Sequence, residues 1–318
     1  MILVNIRKED RDLFLDMDPF HFLDRLFLPY TYAMAAVDDN QAKKTYAGIM
    51  VYQQDSYGFT VDWLCVGETY EKSGVGDQLL DRAFNMAREA GFDTIRAYIP
   101  QIKDRELFCQ GEGRYMEEFY FKTKTKLLGE WYTDVKSLLS KRIYPGGLDM
   151  DHFKAMPLSQ LPSRLKDQVF DYLESMKHRE SLYPIKENYQ LLDPDISTLI
   201  AHDGKIECGL LVQAVLVHRY HARQGKLTAS RKTMLFPVYF SIGQPLATRY
   251  MMKQALKAAS EKYPMESEVR VILSRDRYAP LADQLMENHV EASLLSARLE
   301  DYFDPGGEEL DVLMTLGW

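Results

Sequence analysis

Phe59-Thr60-Val61-Asp62-Trp63-Leu64-Cys65-Val66, followed after a short loop by Gly74-Val75-Gly76-Asp77-Gln78-Leu79-Leu80-Asp81-Arg82-Ala83-Phe84-Asn85-Met86-Ala87, decides the fold. β-Branched and aromatic residues crowd the first run, which reads as a buried strand. In the second run Leu79, Leu80, Ala83, Phe84 and Ala87 recur at helical spacing, and Gly91 supplies a stop. A strand that feeds a helix through glycines outlines an anion site. The first N–H groups of the helix have no acceptor within it, its dipole is positive there, and glycine lets a ligand approach the backbone.

Outward from this stretch, residues 2–6 read as a strand and residues 10–28 as two helical pieces that meet at Pro19. Strands at 30–37 and 44–54 reach the central one through short turns, which predicts an antiparallel meander. A strand at 94–99, ended by Pro100, follows the helix, so it should lie parallel to 59–66. A short helix at 103–110 and a strand at 118–128 close this half. The expected class is α/β, of the α+β mixed-sheet kind, with an antiparallel meander and one parallel seam.

Tyr144-Pro145-Gly146-Gly147 marks a boundary that divides a domain at 1–145 from one at 146–318. The second half weakly repeats the order of the first. Helical runs fall at 134–141, 158–177, 247–262 and 279–287, and strands at 153–156, 198–202, 208–217, 234–241, 269–273, 292–300 and 310–316. At the place of the glycine loop stands Ser241-Ile242-Gly243-Gln244-Pro245, where Pro245 removes an amide donor. The copy is degenerate there.

A net charge of −8 argues against nucleic acid and against an anionic membrane as partners. No apolar run is long enough to span a bilayer, and the chain becomes charged at Arg7, too soon for a signal peptide. Cys65, Cys109 and Cys208 are too scattered for a disulfide framework or a zinc knuckle, and no metal site is indicated. These features point to a cytoplasmic protein. A basic segment from His218 to Lys232 interrupts the acidic balance and reads as a solvated hairpin.

The run Val66-Gly67-Glu68-Thr69-Tyr70-Glu71-Lys72-Ser73-Gly74-Val75-Gly76-Asp77-Gln78-Leu79-Leu80 resembles the acetyl-CoA signature of the GNAT (Gcn5-related) N-acetyltransferases. The element order of residues 1–128 is similar to that fold, and the whole chain to a tandem form with a degenerate second domain. The resemblance implies acetyl-CoA as co-substrate. Leu64, Cys65 and Val66 would then pair with pantetheine, and Lys72, Ser73, Gly74, Val75, Gly76 and Asp77 would hold the diphosphate. Where the family carries Arg or Gln, this chain has Glu71, a like charge beside that diphosphate.

Acyl transfer to an amine needs a neutral amine, an oriented thioester and a proton acceptor. Thr60, Asp62 and Leu64 alternate onto one strand face, which makes Asp62 a base candidate and Glu68 a second. Asp62 also reads as an ion-pair partner for a nearby Lys or Arg. The family's thiolate-protonating Tyr aligns near Phe108, leaving Tyr115 and Tyr120 as nearby hydroxyls. Two functions therefore stand: an N-acetyltransferase acting on a small amine or a peptide N-terminus, and a GNAT-fold binding or assembly module without transfer activity. Oligomeric state stays open.

Overall fold

In the computed structural model, residues 1–18, 21–39, 45–101, 121, 123–141, 143, 152–223 and 226–303 are described. The chain forms two compact units, one of Met1–Leu127 with the chain from Glu291 onward, the other of Leu128–Val290.

In the first unit β1 (Ile2–Asn5), β2 (Thr31–Asp38), β3 (Thr45–Asp55) and β4 (Gly58–Val66) pair antiparallel in sequence order. Helix α1 (Val75–Glu89) returns the chain to β5 (Thr94–Gln101), which lies parallel to β4. The apolar stripe of α1 drives this packing. Leu79, Leu80, Ala83, Phe84 and Ala87 are fully buried in one cluster with Phe59, Val61, Leu64 and Val66. Each large side chain hidden there contributes ~1.5–3 kcal/mol. The helical pieces expected at 10–28 are two 3-10 helices, Lys8–Phe14 and Phe22–Phe27. They are too short for stable α-helix and are held by burial of Phe14, Phe22, Leu23 and Leu26.

The strand beyond β5 in this unit is β13 (Asn288–Arg298), antiparallel to it from Arg298 opposite Thr94 to Glu291 opposite Gln101. β5 therefore runs through Pro100, which lies opposite Ala292. The fixed φ of proline is compatible with extended backbone.

The second unit repeats the plan. β7 (Phe153–Pro157), β9 (Thr198–His202), β10 (Lys205–Arg223) and β11 (Lys226–Ser241) form the meander, with β8 (Arg179–Ser181) paired on β11. Helix α4 (Pro245–Lys262) leads to β12 (Glu268–Ser274), parallel to β11. Helices α2 (Val135–Ser140), α3 (Ser163–Ser175) and α5 (Arg275–Leu285) complete this unit, and α6 (Leu299–Phe303) follows β13. On the far side of β12 lies β6 (Thr123–Asp134), antiparallel from Leu128 opposite Ser274 to Asp134 opposite Glu268.

Each repeat is thus completed by a strand from the other half of the sequence. That exchange is why the units divide at Leu128 and Glu291 and not at the boundary expected from Pro145-Gly146-Gly147, which lies outside the described residues. β6 also ends later than expected, because its pairing with β12 carries it to Asp134. The helix expected at 103–110 and the strand expected at 310–316 lie outside the described residues.

Candidate functional site at the end of the central strand

β4 and β5 are paired only from Phe59 opposite Ile95 to Val61 opposite Ala97. Beyond that pair the parallel ladder stops although both strands continue. A bulge sits at the same place: Val51 faces Trp63 and Tyr52 faces Val61, so Asp62 is an extra residue in β4. The bulge resets the alternation of side chains. Val61 and Leu64 both pack toward α1. Trp63 stacks on Phe22 at 4.9 Å and donates its indole N–H to the Met17 carbonyl at 2.8 Å. Thr60, Asp62 and Leu64 therefore do not share a face, and the simple two-residue period fails at the bulge.

The chain leaves Val66 through a 3-10 turn, Glu68–Tyr70, and two left-handed residues, Lys72 (φ 59°) and Gly74 (φ 80°). The N–H groups of Gly67, Tyr70, Glu71 and Ser73 are engaged by the carbonyls of Ala47, Gly67, Glu68 and Tyr70. Those of Lys72, Gly74, Val75, Gly76 and Asp77 have no acceptor in the described chain, and Gly74 caps α1 without a side-chain bond. A Cβ built on Gly74 would meet nothing within 4 Å. Unengaged amides around open space at a helix N-terminus suit a phosphate group. Glu68 is exposed at the head of the loop, and Leu64, Cys65 and Val66 are buried. Tyr115, Tyr120 and Phe108 lie outside the described residues.

The equivalent corner of the second unit is closed. Residues 242–244 replace the loop of residues 67–74, and α4 begins directly with Pro245. The Gln244 N–H donates to the Glu207 carboxylate at 2.8 Å, and the Gly243 N–H to the Thr248 hydroxyl at 3.1 Å. A Cβ on Gly243 would lie 2.5 Å from the Glu207 carbonyl oxygen. Glu207 is the extra residue of a bulge in β10 against β9, and the matching extra residue in β3 is Ala47. Where the second unit puts a carboxylate, the first has only a methyl group.

No protein-family model matches the chain, and no curated protein matches it by sequence. Solved structures do. A GCN5-related N-acetyltransferase from Sphaerobacter thermophilus superposes with a TM-score of 0.60 at 13% identity, over 94% of this chain and 95% of its own. A tandem GNAT protein from the clavulanic acid biosynthesis pathway gives 0.57 at 12% identity, over 94% and 98%. The glucosamine N-acetyltransferase region of a fungal multi-domain GH3 β-N-acetylglucosaminidase gives 0.58 at 13%, over 93% of this chain and 38% of that one. The chain has a tandem GNAT fold.

In the first GNAT unit, the face of β4 opposite α1 carries a buried set of charges that nothing in the periodicity announces. Arg11, Asp18, Asp24, Arg25 and Asp62 are all buried. Arg25 contacts Asp62 at 3.3 Å, and its guanidinium lies 4.5 Å from the Phe22 ring and 5.0 Å from the Tyr98 ring. Gln53 donates to the same Asp62 oxygen at 2.9 Å. The ion-pair reading of Asp62 is what the geometry contains.

Asp18 accepts the N–H groups of Phe22 and Leu23, each at 2.7 Å, and so starts the second 3-10 helix. Burial raises its pKa from 3.8 to about 7, with Asp24 adding to the rise while the two amides and Arg25 oppose it. The folded value lies above the unfolded one, so the stability Asp18 contributes is complete below pH 3.8 and is lost as pH rises through about 7. In urea titrations the Asp18→Asn variant is expected to lose less stability than the parent between those limits. Parallel pH profiles for the two proteins would refute the assignment.

Proposed function

We propose that the protein is an N-acetyltransferase whose first GNAT unit binds acetyl-CoA and transfers the acetyl group to a primary amine. The observation that carries this reading is the row of unengaged amides at Lys72, Gly74, Val75, Gly76 and Asp77, with open space beside Gly74. These amides would hold the diphosphate, and they do so whatever side chain stands at Glu71. Leu64, Cys65 and Val66 would run beside the pantetheine arm, where the β4–β5 ladder has stopped. Bound acetyl-CoA supplies the activated thioester.

For the chain's own part, Glu68 is exposed where an incoming ammonium can reach it, whereas Asp62 is buried and already held by Arg25. Glu68 therefore takes the base role in this reading. Asp62, clamped by Arg25 and Gln53, positions the β4 bulge beside the site. Tyr115 is kept as the proton donor to the departing thiolate. An acidic chain of net charge −8 favours a cationic amine as acceptor, a small molecule or a peptide N-terminus.

Calorimetry with acetyl-CoA tests the reading: one site per chain is expected, because Glu207 and Pro245 close the second corner. Absence of heat at millimolar ligand would rule it out. The Arg25–Asp62 pair favours a second reading, a binding module that retains the cradle without turnover. Saturable acetyl-CoA binding with no acetylated product across a panel of amines would select it.

A further inference from the structure

The two repeats part at their parallel seams in different places, and a residue explains the difference. With the bulges aligned, Val238 of β11 stands where Asp62 stands in β4, and Pro237 where Val61 stands. Val61 is still paired with Ala97, whereas the β11–β12 pairing ends at Leu235 opposite Val269. Pro237 has no N–H for a ladder, so β11 leaves β12 earlier.

Behind that parting lies a cavity of ≈ 100 Å³, lined by the two strands, α4 and α5 and partly open. Leu235, Pro237 and Val271 form its sheet wall, while Ala255 of α4 and Ala282 of α5 face it from the helices. No charged side chain lines it, and the hydroxyl of Tyr278, on its wall, already donates to the His178 carbonyl. A polar group placed inside would lose its bonds to water with none in return. Ala255 and Ala259 of α4 and Ala282 of α5 keep the space open where leucines would fill it. An apolar cavity of about 150 Å³ in another protein stays dry and takes up benzene.

We infer that the second GNAT unit has exchanged a phosphate-binding corner for a binding site for a small neutral hydrocarbon group, of about the size of a benzene ring. Two changes in the repeat support this. The anion corner is filled by Glu207, and the cavity beside the parted strands is lined by apolar side chains and Tyr278. The inference does not rest on acetyl-CoA binding by the first unit, and the two fail separately.

Met252 and Met286 line the cavity and report on it. With 13C-methyl methionine in the full chain, benzene is expected to shift these two signals saturably, leave the methionines of the first unit unmoved, and raise the melting temperature by ~2 °C near saturation. Hexanoate, whose carboxylate finds no partner, is expected to leave them in place. Ala282→Phe should abolish the benzene shifts without lowering the melting temperature. If that variant does not fold, Ala255→Met serves the same purpose. No shift up to the solubility limit of benzene would overturn the proposal. So would benzene shifts unchanged in a folded filled variant, or an equal response to hexanoate.

Discussion

Gly74→Asp is expected to weaken acetyl-CoA binding by roughly 100-fold, about 2.7 kcal/mol, while leaving the fold intact. The open space beside Gly74 admits the side chain, since a Cβ there meets nothing within 4 Å. The left-handed φ of 80° is one that aspartate tolerates better than most residues, at a cost of about 1 kcal/mol. Its carboxylate would accept from the unengaged amides of the loop, reproducing in the first unit what Glu207 does in the second. Bonds from N–H to a charged acceptor contribute ~1.5–3 kcal/mol each, and like-charge repulsion at close range adds to the loss. Gly74→Asn has the same shape without the charge and should cost only a few-fold in affinity. Calorimetry on both variants separates charge from shape. Equal affinities for the two would place the diphosphate elsewhere.

The second large effect concerns Arg25. Arg25→Met leaves Asp62 buried without its cation, and losing one partner of a buried pair typically costs about 3–5 kcal/mol. Urea denaturation is expected to show a loss in that range. Adding Asp62→Asn removes the stranded charge and keeps an acceptor for Gln53, so the double variant should recover at least half of the loss. Acetyl-CoA affinity should stay within a few-fold of the parent in the double variant, because the cradle belongs to the loop and α1. Failure of Asp62→Asn to rescue would mean that Arg25 acts through its stacking on Phe22 and Tyr98 and not through its charge.

Local patterns in the sequence carried much of the fold. The meander strands alternate or run apolar between turn residues, and α1 is legible because its stripe has helical period and stops at glycine. The cradle is legible for the same reason: its amides are unengaged because of backbone conformation, which Gly74 and the helix start determine. What escaped the sequence depends on partners distant along the chain. The bulge at Asp62 is a matter of register with β3, and it turned a face assignment based on alternation into a wrong one. Arg25 is remote in sequence from Asp62, and no spacing rule joins them. Glu207 reaches Gly243 and Gln244 from the neighbouring strand, so the closed corner could be read from Pro245 only in part. Charge alone offered no sign of which carboxylates would be buried.

The placement of β13 has a consequence for the newborn chain. Its hydrogen-bonding edge partner β5 ends at Gln101, yet Glu291 to Arg298 are synthesised long after it. At ordinary translation speeds roughly 10–40 s separate the two. Throughout that interval the β5 edge of the first unit lacks this partner, and a bare edge is a template for any passing strand. The first unit therefore gains β13 only once residues 291–298 have been made, and a message that stalls before them leaves that edge unsealed.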